Sequence, residues 1–248
     1  MSENTVKHEL ALKVLGPVAE SAGTTLQNIW DFAFGGLNLY MEKKAFTRAK
    51  DFEAFKASFE QRVIEIPPES IKEPKISILG PTLEASKFYF EEDSLREMFA
   101  ALAAATLDAR KERDLHPSYP EIIKQMSPLD AVNLSLFSHQ FPIVEYYKAP
   151  QNGRYKQTVL TNVFLGNKNE TDLELQSQSI SSLVRLGLVH VEYETTVLKE
   201  HFYQPFSFTP YFLHLKEELH VLDWEANMRL GRAILTPLGK SFKSVCLE

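Results

Sequence analysis

Two histidines and two glutamates crowd one short stretch, HLKEELH, as His214, Glu217, Glu218 and His220. Imidazole and carboxylate are zinc ligands, and ligation demands that they converge. His214 and Glu217 stand three apart and can share a helix face. An H-x-x-E-H site would need a histidine where Glu218 stands, and His220 falls off that face. The stretch reads as a solvated charged helix, and no metal ligand is assigned. Gly239, Lys240 and Ser241 end like a phosphate loop, but that pattern needs a glycine where Ile234 stands. Thr236 and Pro237 read instead as the start of a helix. FGGLN and LTPLGKS carry no G-x-S-x-G elbow, and the single thiol, Cys246, reads as a small core residue. No catalytic and no cofactor-binding residue is assigned. The expectation is a chain that is not an enzyme and takes no cofactor.

Binding chemistry is the alternative. Base edges are read by Arg, Lys, Asn or Gln on the outer face of a helix. The segment from Asp172 to Leu186 offers Gln176, Gln178 and Arg185, with Ser177, Ser181 and Ser182 as its polar face. Gln178, Ser181 and Arg185 are its candidate contacts to a partner or to nucleic acid. Phosphate neutralisation needs several cations, and this helix has one, beside Asp172 and Glu174. Nucleic acid is therefore the less favoured partner. A second surface is suggested by Gly23 to Met41, which carries one charge, Asp31, and four aromatics. Trp30, Phe32, Phe34, Leu37 and Tyr40 are its candidate membrane contacts, and Lys43, Lys44, Arg48 and Lys50 follow to meet anionic lipid. The same aromatics could instead complete a helical core.

The bulk numbers suit a folded chain with its own core. It has 248 residues, 44% hydrophobic and 24% charged. Net charge is -6, and neither half is basic: 15 Lys+Arg face 19 Asp+Glu up to residue 120, and 12 face 14 beyond it. That balance argues against a dedicated nucleic-acid binder. One cysteine rules out an internal disulfide and fits a reducing cytoplasm. The first residues lack the basic and apolar regions of a signal peptide, and no apolar run is long enough for a transmembrane helix. The expected location is cytoplasmic, with membrane association on activation.

These residues must be carried by elements that the pattern suggests. A helix interrupted by Pro17 is expected over 6–22, and residues 25–40 are apolar with a bend expected at Gly35 and Gly36. Phe52, Phe55, Phe59 and Val63 recur at helical spacing in RAKDFEAFKASFEQRVIEI. IPPESIKEPKISILGP reads as an extended connector, with helix resuming at TLEASKFYF. EEDSLREMFAALAAATLDARKE reads as the strongest helix, acidic at its start and basic at its end, with Leu95, Met98, Phe99, Leu102 and Leu107 inside. In LHPSYPEIIKQMSPLDA, Ser118 with Glu121 predicts a capping box, and Ser127 with Pro128 and Asp130 predicts another helix start. Leu129, Val132, Leu136 and Phe137 should face inward. RYKQTVLTNVFL is strand-like. Gly187 should end the helix that begins at Asp172, before a strand from Leu188 to Glu194. A strand to Leu235 and a final helix capped by Thr236 close the chain.

The order helix, strand, helix, strand and ILTPLGKSF is that of a winged helix. The expected fold is therefore mainly α with a small β component. A helical domain over 1–116 precedes a winged-helix-like domain over 117–248, with an insertion at about 197–230.

GPTLEASKFYFEEDSLREMFAALAAATLD, HPSYPEIIKQMSPLDA, SISSLVRLGLVHV and LTPLGKSFKSVCL together resemble the Abi-alpha family, a bacterial domain family named for abortive phage infection. The resemblance implies phage defence by stopping growth of the infected cell. It carries over no catalytic residues. An unknown protein partner or phage trigger, peripheral membrane contact through the 23–41 segment, and oligomerisation are open expectations. The competing functions are a DNA-binding transcriptional regulator and a plain protein-interaction module.

Overall fold

The computed structural model describes residues 45–151, 155–193, 199–220 and 224–248. The helix expected over 6–22 and the apolar segment over 25–40 lie outside them. The chain divides into two compact units, one holding the described residues of 1–125 with 244–248, the other those of 126–243.

The first unit is built on helices α1 (Ala45–Ile64), α2 (Ile76–Ser86), α3 (Asp93–Ala105) and α4 (Tyr119–Lys124). The phenylalanine spacing of α1 does what periodicity predicts: Phe55, Phe59 and Val63 are buried, and Phe52 and Phe55 lie 5.6 and 5.1 Å from the ring of Phe90. Every residue of α3 from Met98 to Ala105 is buried. Alanine on its second face lets α1 and α2 both approach closely. That helix stops before the basic residues. Thr106 caps it, and Arg110 and Lys111 belong to a separate short 3-10 turn. The expected connector shrinks as well. Helix resumes at Ile76 and runs through Pro81, because burial of Ile78, Leu79, Thr82 and Leu83 compensates for the hydrogen bond that proline removes.

The capping box expected at Ser118 does not form. Ser118 is itself helical, and its side chain caps nothing. Its hydroxyl lies 2.7 Å from His116 Nδ1, which also accepts from the Ser118 N–H, while Glu121 turns to Lys124. At Ser127 the box is complete: Asp130 N–H donates to the serine hydroxyl at 3.1 Å, and Ser127 N–H donates to Asp130 Oδ2 at 2.9 Å.

The second unit overturns the expected fold class. Helix α5 (Pro128–Leu136) leads into β1 (Phe141–Pro150) and β2 (Gln157–Val163). Helix α6 (Leu173–Arg185), β3 (Val189–Glu192), α7 (Pro210–His220), β4 (Trp224–Leu235) and α8 (Pro237–Cys246, of which the residues up to Lys243 belong to this unit) follow. The four strands form one antiparallel sheet in the order β2-β1-β4-β3. This is an α/β fold, not a mainly α chain ending in a winged helix. Two segments account for the difference. FPIVEYYKAP carries a proline at each end and reads poorly as a strand, yet it pairs with β4 along all ten residues. Its register with β2 covers only Val144 to Lys148, so Pro142 and Pro150 lie outside that pairing, where a missing N–H costs least. Within the expected insertion the charged helix forms as expected, as α7 at Pro210–His220, but β4 runs back into it as far as Trp224.

One sheet face receives α7. Val144 and Tyr146 from β1 cluster there with Phe206, Phe212, Leu215 and Leu219. The Tyr146 hydroxyl donates to the Phe206 carbonyl at 2.7 Å, and burial pushes its pKa up to about 12. At the other end Gly187 takes a φ of 73°, as its place after α6 predicts. Leu188 N–H donates to Leu183 O and Gly187 N–H to Val184 O, closing a Schellman motif. Thr236 Oγ1 accepts from Gly239 N–H at 2.9 Å and caps α8. A Cβ on Gly239 would lie 2.0 Å from the Leu188 carbonyl oxygen, so the glycine belongs to a close approach of two backbones and not to a phosphate loop.

Candidate functional site

Helix α6 and the loop before it form the most differentiated surface of the second unit. Asp172 starts the helix, with Oδ1 accepting from Glu174 N–H at 2.9 Å and Leu175 N–H at 3.1 Å. Leu173, Ile180 and Leu183 face inward with three polar residues, Gln176, Ser177 and Ser179. Each of these side chains is held, Gln176 through its amide nitrogen. Ser177 donates to the Thr161 carbonyl at 2.6 Å. Ser179 accepts from the Asn133 amide at 3.0 Å, and Asn133 in turn accepts from Asn167 at 2.9 Å. Gln176 Nε2 donates to the carbonyls of Asn167 and Glu170 at 3.0 and 2.9 Å. These bonds fix the 167–170 loop against the helix.

Helix α5 is turned to serve this network. Asn133 is fully buried and Val132 is 41% exposed, the reverse of the apolar-inward expectation, while Phe137 is buried as expected. A buried amide is stable only with its partners present, and Ser179 and Asn167 supply them.

The candidate contact residues separate. Gln178 and Arg185 lie exposed on the outer face of α6. Ser181 is half-buried and accepts from the Asn162 amide at 2.9 Å. Gln176 and Ser177, read from sequence as part of the polar face, are buried and occupied. The outer face thus offers less for reading base edges than the sequence suggests, and its first turn carries Asp172 and Glu174. Trp30, Phe32, Phe34, Leu37 and Tyr40 lie outside the described residues. Among those described, no helix is long and apolar enough to cross a membrane. His214 meets Glu218 at 3.3 Å on exposed α7, and no group of metal-ligating side chains gathers there or elsewhere among the described residues. Cys246 is buried, and burial pushes its thiol well above its ordinary pKa.

Periodicity does not reveal the cleft beside the start of α6. An open hollow of about 760 Å³ lies between residues 165–176 and the first turn of α7. Leu165, Leu173, Pro210 and Tyr211 give it apolar walls, and Glu170, Asp172 and Glu174 lie along it. Burial raises the pKa of the Tyr211 hydroxyl, and the nearby Glu174 and Glu218 carboxylates add to the shift. The only sequence signal for this site is the acidic run NETDLE between a strand and a helix.

The comparisons agree with the resemblance read from sequence. The family model described as abortive infection alpha matches residues 47–246, and the chain belongs to that family. It has no match among curated proteins and none among solved structures.

Proposed function

We propose that this member of the abortive infection alpha family defends a bacterium against phage by recognising a partner or trigger, without chemistry of its own. At the level of the family, an abortive-infection-type defence role follows from the match over 47–246. In this reading the 126–243 unit recognises the partner, and the apolar segment within 1–44 carries the effect at a membrane. The observation that carries the recognition half is the polar network that holds the 167–170 loop and positions the cleft beside α6. Binding sites are built by loops fixed on a rigid scaffold, and this loop is so fixed. The non-enzymatic part rests on the sequence, which contains neither a phosphate loop nor a nucleophile elbow.

A phage challenge of cells carrying the gene tests the defence role. Protection at low multiplicity of infection with culture collapse at high multiplicity is the expected outcome. Survival at high multiplicity would rule out the abortive mechanism. Deleting residues 23–41 should abolish protection, and the intact protein should pellet with anionic liposomes. Failure of either sinks the membrane half alone. Salt-sensitive mobility shifts with genomic fragments, lost on Arg185→Glu, would move the assignment to a DNA-binding regulator.

A further inference from the structure

We infer that the cleft between the 165–176 segment and the start of α7 docks a basic peptide segment of a partner protein, anchored by an apolar side chain. The inference rests on the partner-recognition reading above and names the chemistry of that partner. Three observations carry it.

The first is charge. Glu170, Asp172 and Glu174 all line the cleft, and Lys168 is the only lysine or arginine lining it. No salt bridge neutralises any of the three carboxylates among the described residues. Two of them are already oriented: Glu170 Oε1 accepts from Asp172 N–H at 2.9 Å, and Asp172 caps α6. Glu218 adds a further negative charge near Tyr211. Both helices bring their N-terminal turns to the cleft, and their dipoles offset part of this charge. The net lining remains acidic, and its complement is a cation.

The second is the apolar wall. Leu165, Leu173, Pro210 and Tyr211 leave no polar complement for a bare cation or a polyamine, whereas a leucine or aromatic side chain would desolvate them.

The third is an unanswered acceptor. Gln176 is 1% exposed and lines the cleft, its two amide hydrogens are spent on the Asn167 and Glu170 carbonyls, and its Oε1 has no hydrogen-bond partner. A buried carbonyl of this kind costs free energy until a donor reaches it. Peptide N–H groups and lysine ammonium groups are such donors.

The test uses the full chain and a panel of short fluorescein-labelled peptides in which paired lysines flank a leucine or phenylalanine, read by fluorescence anisotropy. Matched peptides with glutamate in place of lysine are the control. At least one basic peptide should bind, with an affinity that falls as salt rises. Glu170→Gln with Glu174→Gln should weaken it roughly tenfold, and Tyr211→Ala should weaken it without changing the salt dependence. Circular dichroism of each variant checks that the fold survives. Dissociation constants above about 1 mM for the whole panel, equal binding of the acidic peptides, or unchanged binding by the double variant would each overturn the inference. The phage challenge of the intact chain is independent of the panel. Protection without peptide binding removes the cleft and leaves the defence reading standing, whereas peptide binding without protection does the reverse.

Discussion

The two units bury polar groups in opposite ways. In the first, the buried hydroxyls of Thr82, Ser86 and Thr106 donate to carbonyls three or four residues back in their own helices, at 2.6, 2.9 and 2.7 Å. Each is satisfied before any tertiary contact exists. In the second, Asn133 meets Ser179 and Asn167, Ser177 meets Thr161, and the Tyr203 hydroxyl donates to the Gly231 carbonyl at 2.8 Å. Those partners belong to different elements and are absent from any isolated segment. The first unit therefore depends on filled volume, and the second depends also on a network that must be complete. A half-complete network is worse than an apolar core, so the second unit should be the more sensitive to isosteric change.

The largest expected effect sharpens the volume side of that contrast. Phe59→Ala removes a fully buried ring from α1 and should cost about 3–5 kcal/mol, read by urea denaturation. A loss below about 1 kcal/mol would mean that the first unit is not held by packing. Next comes Asn133→Ala, which strands Ser179 and Asn167 and should cost about 2–4 kcal/mol in the same measurement. Its counterpart in the first unit is Thr82→Val. That change removes a bond made within one helix and keeps the shape, so it should cost less than about 1 kcal/mol. If Thr82→Val proves as damaging as Asn133→Ala, the contrast between the units fails.

The smallest effect concerns acid. Burial pushes the Asp108 carboxyl upward, but hydrogen bonds from the Arg110 side chain and backbone outweigh it and hold the pKa below its ordinary value. A carboxylate with a lowered pKa stabilises the fold above its unfolded pKa, and that contribution is lost as pH falls through the folded value. Arg110→Ala removes the side-chain hydrogen bonds and the guanidinium charge but keeps the backbone N–H, so burial is opposed less. The variant should then gain less stability than the parent as pH rises from about 2 to about 5, read as the denaturation midpoint at each pH. Parallel curves would show that the pair contributes nothing at this site.

The same contrast explains what could be foreseen. The phenylalanine face of α1 and the buried side of α3 follow from helical period alone. In the second unit, Val132 and Asn133 exchange places because a long-range network outbids local hydrophobicity. Strand β1 is hard to read because its prolines obscure the pattern, and they are tolerable because both lie outside its register with β2. Of the candidate contacts, Gln178 and Arg185 face outward as expected, whereas Ser181 is engaged with Asn162. The cleft was illegible, because its walls come from segments more than thirty residues apart.

By itself the sequence determined the features whose partners lie within one turn of chain. Ser127, Asp172 and Thr236 start helices, and Gly187 ends one, because a side-chain oxygen or a positive φ acts over four residues or fewer. The blocks that mark the family are also local and survive in one dimension. Tertiary structure decided the rest. It made a four-stranded sheet where a winged helix was expected and turned Asn133 inward. Each of those outcomes is a competition between a local preference and a distant partner. The distant partner wins wherever a buried polar group would otherwise go unpaired.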